Sequence, residues 1–104
     1  MPQVEDSTSY GTQALKVRGK LMLRLKEDGQ TLVCRVTWPE RERLLNTYPK
    51  VFFLTDHYRE HPWVLMNMSS ASLAVLRPAV FHAWEQVAPK TLVAKSASHN
   101  TNAA

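Results

Sequence analysis

The residue types best suited to chemistry are concentrated at positions 55–63, in the stretch TDHYREHPW. It contains two of the chain's four histidines, with acidic side chains beside them. His57 and His61 are four positions apart, a spacing that occurs in metal sites, and Asp56 and Glu60 are adjacent to them. On a loop, this spacing is explained better by a solvated polar turn. We therefore predict no bound metal and no cofactor.

The sequence has no motif typical of an active site, and we expect a protein without enzymatic activity. Its three glycines are too scattered for a phosphate-binding loop, and it has no HExxH motif. The single cysteine, Cys34, alternates with Leu32 and Val36, which predicts a small buried hydrophobic side chain. One cysteine excludes an internal disulfide and fits a reducing compartment, so we expect a cytoplasmic protein.

Basic side chains are the better guide to function. The net charge is +4, and residues 16–35 hold six basic against two acidic side chains, which is the same excess. Basic residues on one face of a sheet can neutralise phosphates, and aromatic residues nearby can stack on bases. The pattern predicts a nucleic-acid-binding surface on Lys16, Arg18, Lys20, Arg24 and Arg35, with Tyr58, Arg59 and Trp63 on the adjoining loop.

Two other interpretations of these residues stay open. The charges could belong to an ordinary solvated sheet face, present for solubility and against edge pairing. Alternatively, the chain could bind a protein or a small ligand in a pocket beside the loop at 57–63.

The elements that must position these residues begin with a β-hairpin. Residues 20–26 alternate strictly between leucine and mostly basic side chains, and in residues 31–37 Leu32, Cys34 and Val36 alternate with Val33 and Arg35. Gly29 suits the positive φ of the turn between them. Shorter strands are predicted at 14–17, 51–54 and 63–66. The alternation places Lys20, Arg24, Lys26 and Arg35 together on the solvent face.

Two helices complete the pattern. Pro39 suits the first turn of a short helix at 40–47, whose Arg41 and Arg43 we assign to a solvated face together with the neighbouring glutamates. Apolar residues recur at helical spacing over 71–87, after N-cap candidates Ser69 and Ser70. Pro78 should kink this helix or confine its regular part to the residues that follow.

These elements predict an α+β two-layer sandwich, in which an antiparallel sheet of four to five strands packs on a C-terminal helix. We assign residues 1–9 to a polar N-terminal segment, 10–90 to the domain and 91–104 to a disordered tail. No apolar run approaches the roughly 18 residues of a membrane-spanning helix.

Three ordered motifs carry a family resemblance: GT followed by KVRGK at 11–20, TDHY with PW at 55–63, and W with APK at 84–90. Over about residues 9–90 the chain resembles the MmcQ/YjbR family of small bacterial proteins. The resemblance implies a frataxin-like (CyaY-like) fold and DNA binding, with no catalytic residues. A frataxin-like iron role would need an acidic ridge, and the nine acidic residues form no run longer than two.

Members of that family usually begin with a helix of four or five turns before the first strand. Only about ten residues precede Gly11 here, and Pro2, Ser7 and Ser9 are poor helix formers. We therefore expect an apolar sheet face with incomplete helical cover, and a homodimer that covers it.

Overall fold

A computed structural model of the chain describes residues 3–9 and 11–89. Within them, one antiparallel sheet of six strands combines with two helices. The strands are β1 (Val4–Ser9), β2 (Thr12–Val17), β3 (Lys20–Leu25), β4 (Thr31–Arg35), β5 (Phe52–Phe53) and β6 (Trp63–Asn67). The helices are α1 (Trp38–Thr47) and α2 (Leu73–Val87). The strands lie side by side in the order β1-β2-β3-β4-β6-β5.

This architecture confirms the predicted α+β class, with an antiparallel sheet and a C-terminal helix. The predicted hairpin is β3–β4, and Gly29 in its turn has a φ of 70°. The sheet has one strand more than the four to five expected, because Val4–Ser9 pairs with β2 along its whole length. β1 lacks apolar alternation because a polar sequence suffices at the edge of a sheet.

A β-bulge in β3 decides which side chains share a face. Leu15 and Lys16 are neighbours on β2, whereas their partners on β3, Leu23 and Leu21, are separated by Met22. Met22 is therefore the extra residue of the bulge, and it shifts the alternation of β3 by one position.

The bulge separates two basic residues that strict alternation placed together. Lys20 lies opposite Val17, which is fully buried in the core, whereas Arg24 lies opposite Ala14, on the other side of β2. The prediction that Lys20 and Arg24 share a face is therefore wrong.

One face of the sheet, which we call the helix face, packs against α2. α2 lies over β3 and β4, and its Trp84 is fully buried. Cys34 is buried on this face, as predicted. The core cluster joins sheet residues Val17, Met22, Cys34, Val64 and Met66 to Ala79, Ala83, Trp84 and Val87 of α2.

Both helices begin at positions that differ from those predicted. α1 starts two residues early, at Trp38, because the hydroxyl of Thr37 accepts the N–H of Glu40 at 3.3 Å. α2 has Ser72 as its N-cap residue, rather than Ser69 or Ser70, and it extends on both sides of Pro78.

No helix within the described residues is long and apolar enough to cross a membrane. The tail predicted at 91–104 lies outside the described residues.

Candidate functional site

The face opposite α2, which we call the arginine face, is crossed by two rows of side chains. In one row, Lys16 lies opposite Leu21, and Arg35 lies opposite Trp63. Arg35 joins the two pairs, because its Nε donates to the carbonyl of Leu21 at 2.8 Å. The second row consists of Ala14, Arg24, Val33, Leu65 and Phe53.

Arg24 is a buried bridge rather than a free cation, since only 6% of its surface is exposed. Its Nη2 donates to the Tyr58 hydroxyl at 3.1 Å, and its Nη1 contacts Thr12 at 3.1 Å and Glu27 at 3.4 Å. Desolvation lowers the pKa of the guanidinium, but the interactions with Tyr58 and Glu27 outweigh it and raise the pKa. Arg24 therefore holds Tyr58 over the sheet.

Arg35 and Trp63 form a stacked pair on the same face. The Arg35 guanidinium carbon lies 4.5 Å from the centroid of the Trp63 ring. Both side chains are half-buried, as is Lys16 in the same row. Burial lowers the pKa of Arg35. The guanidinium nevertheless keeps its positive charge, as arginines do in proteins. This row presents a fixed positive charge beside a flat aromatic ring.

The loop at 55–62 is fixed to the rest of the fold by Arg41. This side chain is buried, and its guanidinium donates to the carbonyls of Tyr58 at 3.3 Å, Arg59 at 3.0 Å and His61 at 3.0 Å. It also stacks on Trp38 at 4.6 Å. The assignment of Arg41 to a solvated helix face is therefore wrong. The neighbouring arginine, at position 43, is exposed and pairs with a glutamate as predicted.

The structure does not bring all the predicted binding residues together. It joins Lys16, Arg24, Arg35, Tyr58 and Trp63 on the arginine face. The remaining three, Arg18, Lys20 and Arg59, are exposed outside the two rows.

Local contacts explain where two of these three residues lie. Arg18 occupies the turn between β2 and β3 with a φ of 50°, and its Nε donates to Gln3. Arg59 bonds to Asp56 in its own loop at 3.0 Å.

The histidines at 57 and 61 do not take part in a metal cluster. Among residues 3–9 and 11–89, no group of three or more His, Cys, Asp and Glu side chains is placed to hold a metal ion. His57 instead packs edge-on against the ring of Tyr58, with centroids 4.8 Å apart.

Two cavities stand out among residues 3–9 and 11–89, and no residue of the loop at 57–63 lines either of them. One is a groove on the helix face, lined partly by Leu15, Leu23 and Leu25. The other lies between α1 and α2 beside Tyr48 and His82. His82 contributes to the fold there, because its Nε2 accepts the backbone N–H of Thr37 at 3.2 Å.

Sequence reasoning missed two residues that shape the site, Arg41 and Thr12. Arg41 stands among charged neighbours in the sequence WPERERLL, which resembles any solvated helix. The only feature of the sequence that points to its role is Trp38, three positions earlier, since an arginine can stack on an aromatic residue close to it on the same helix. Thr12 contacts Arg24 only because β2 and β3 are paired.

Comparison with known proteins identifies the family and little else. No curated protein matches the chain, and no solved structure matches it. The family model described as YjbR matches residues 1–86, most of the 104 residues. The match includes both rows of the arginine face and the loop at 55–62. The chain therefore belongs to the YjbR family.

Proposed function

We propose that this protein binds single-stranded nucleic acid weakly through its arginine face, as a cytoplasmic protein without enzymatic activity. The observation that carries the proposal is the row in which Lys16 lies on the same face as the stacked pair of Arg35 and Trp63. A base can stack on an exposed aromatic surface while the cations contact the phosphates on either side.

A single strand fits this surface better than a duplex. The candidate residues lie on a sheet, whereas reading of duplex DNA commonly uses a helix or a two-stranded ribbon that enters the major groove. The long helix α2 is packed on the opposite face. Unpaired bases can instead be splayed onto a sheet, as other sheet proteins do with aromatic side chains.

The number of available cations predicts weak, salt-sensitive binding. Arg24 is engaged within the fold, so Lys16 and Arg35 are the principal candidates for phosphate contact on this face. Glu5 lies directly opposite Lys16 on β1 and offsets part of the charge. Two phosphate contacts on a single strand give an expected slope of log K against log salt of about −1.4.

The test is a fluorescence anisotropy titration of labelled single- and double-stranded oligonucleotides at several salt concentrations. Lys16→Gln should weaken binding to the single strand and reduce the salt slope by about one contact. Lys20→Gln is the matched control, because it removes the same charge from a position outside the arginine face. Trp63→Ala should weaken binding with little change in the slope, since stacking releases no counterions.

The proposal fails if neither oligonucleotide binds at low salt, or if Lys16→Gln and Lys20→Gln have equal effects. The other candidate function, a protein- or small-ligand-binding module, would show itself in a thermal-shift screen. Stabilisation by a metabolite, with no response to oligonucleotides, would select it.

A further inference from the structure

The helix face carries a groove that α2 leaves uncovered. Its volume is about 730 Å³, which lies within the range of small-molecule sites. Strands β1 to β4 and Met68 line it, and no helical residue among those that the structure describes does so. Because α2 lies over β3 and β4, the part of the helix face nearest β1 has no helix over it.

The floor of the groove changes from apolar to polar across the sheet. In one row, Leu23 of β3 lies opposite Leu15 of β2, which in turn lies opposite Asp6 of the edge strand β1. In the neighbouring row, β3 and β4 contribute a pair of leucines, whereas β1 and β2 contribute the pair of Thr8 and Gln13. The apolar half therefore lies toward β4, and the polar half lies at the edge of the sheet.

A single carboxylate gives the polar end of the groove a negative charge. Asp6 is exposed, and its partner on β2 is Leu15, so the carboxylate stands beside an apolar floor. Among residues 3–9 and 11–89, no ion pair involves Asp6. Arg24 also lines the groove, but its guanidinium is bonded to Tyr58 on the opposite face of the sheet. The charge of Asp6 is therefore not neutralised by that arginine.

We propose that this groove binds a small amphipathic amine. The apolar body of the ligand lies on Leu15, Leu23 and the leucines of the neighbouring row, and its ammonium group pairs with the Asp6 carboxylate. Thr8 and Gln13 offer further oxygen acceptors at the same end. Strands about 4.8 Å apart put Leu23 about 10 Å from Asp6, a distance that an unbranched chain of about eight carbons spans.

The size of the groove favours a small molecule over a second copy of the chain or another protein. Strands about 4.8 Å apart and about six residues long give the groove a floor on the order of 300 Å². A stable protein interface buries about 600 Å² or more on each partner. The homodimer expected from the sequence would therefore need contacts beyond this groove.

The test is a titration of the full chain with 1-octylamine, followed by the NMR chemical shifts of the backbone amides. 1-Octanol and octanoate have the same chain length and serve as the neutral and anionic comparisons. Octylamine should bind most tightly and octanoate least, with the largest shift changes in the residues that line the groove. Asp6→Asn should weaken octylamine binding by about twofold to fivefold, as expected for an exposed ion pair, and should leave octanol binding unchanged.

Glu5→Gln is the matched control, because Glu5 is the adjacent carboxylate on β1 and lies opposite Lys16 on the arginine face. It should leave octylamine binding unchanged. Equal effects of the two substitutions would overturn the proposal, as would octanol or octanoate binding as tightly as octylamine. No binding of any of the three ligands, or shift changes centred outside the groove, would also overturn it.

Discussion

The two faces of this sheet are both buried at their centres, but in different ways. On the helix face, apolar side chains of the strands pack against α2 and its fully buried Trp84. On the arginine face, Val33 and Leu65 are just as buried, at 2% and 0% exposure, yet they lie outside that core cluster. Here the hydrogen bond from Arg24 to Tyr58 passes over β4, because β4 lies between β3 and the loop at 55–62.

This difference separates the apolar packing that stabilises the fold from the surface that we propose for binding. Apolar packing on the helix face contributes most of the free energy of folding, since that term scales with the apolar area removed from water. The hydrogen-bonded cover of the arginine face leaves charged and aromatic groups half-exposed beside it. A surface held in this way can present polar groups to a ligand in a fixed arrangement.

The largest effect on stability should come from replacing a tryptophan with alanine, and its size should differ between the two faces. We expect Trp84→Ala to lower the free energy of unfolding by about 3–5 kcal/mol, enough to unfold much of a domain this small. Trp63→Ala, on the arginine face, should cost less than half as much because this ring is only half-buried. Urea titration followed by circular dichroism measures both. Equal losses would contradict the assignment of the main core to the helix face.

The next effect concerns the loop that covers the arginine face. Arg41→Met should cost about 2–3 kcal/mol, because three loop carbonyls lose their donors. Hydrogen exchange should speed up first in residues 55–62. Arg43→Met, two positions away and exposed, should change stability by less than about 0.5 kcal/mol. A loop whose exchange is unchanged in Arg41→Met would show that other contacts hold it.

A smaller effect should be measurable at the bridge itself. A double-mutant cycle with Arg24→Met and Tyr58→Phe should give a coupling free energy of about 0.5–1.5 kcal/mol, as expected for one hydrogen bond. Tyr58→Phe alone keeps the ring and removes only the hydroxyl. Thermal or urea unfolding of the four proteins supplies the cycle. Additive losses would mean that the two side chains do not act together.

At neutral pH the remaining prediction has no effect on stability, because it concerns the ionisation of Cys34, which is buried on the helix face. Burial raises the pKa of the Cys34 thiol from 9.0 to about 12. The unfolded chain therefore loses this proton first as the pH rises, and the stability linked to Cys34 should decline between about pH 9 and 12. Cys34→Ala should remove that part of the decline. Rapid modification of the native thiol at pH 8 would contradict its burial.

The sequence predicted the regular parts of this fold, because those parts depend on local pattern. Alternation identified the β3–β4 hairpin, and helical spacing identified Trp84 as a core residue. It could not reveal the bulge at Met22, since an extra residue in a strand leaves no mark until its partner strand is known. Because of this bulge, Lys20 and Arg24 lie on opposite faces of the sheet, although the alternation predicted them on one face.

The candidate site was predictable only in part. The candidate binding residues chosen from charge and aromatic content included Lys16, Arg35 and Trp63, which the structure places on one face. The roles of Arg24 and Arg41 depend on contacts between residues 17 to 34 positions apart. Such contacts follow from the order of the strands, which local pattern does not determine.

The three carbonyls held by Arg41 belong to the main chain and are present whatever side chains the loop carries. Substitution of side chains within the loop should therefore leave the backbone conformation of residues 58–61 unchanged. Related chains that keep this arginine can replace the histidines, the tyrosine or the second arginine of the loop and still present their replacements from the same backbone. For the proposed binding surface, a change of ligand preference then requires no change of architecture.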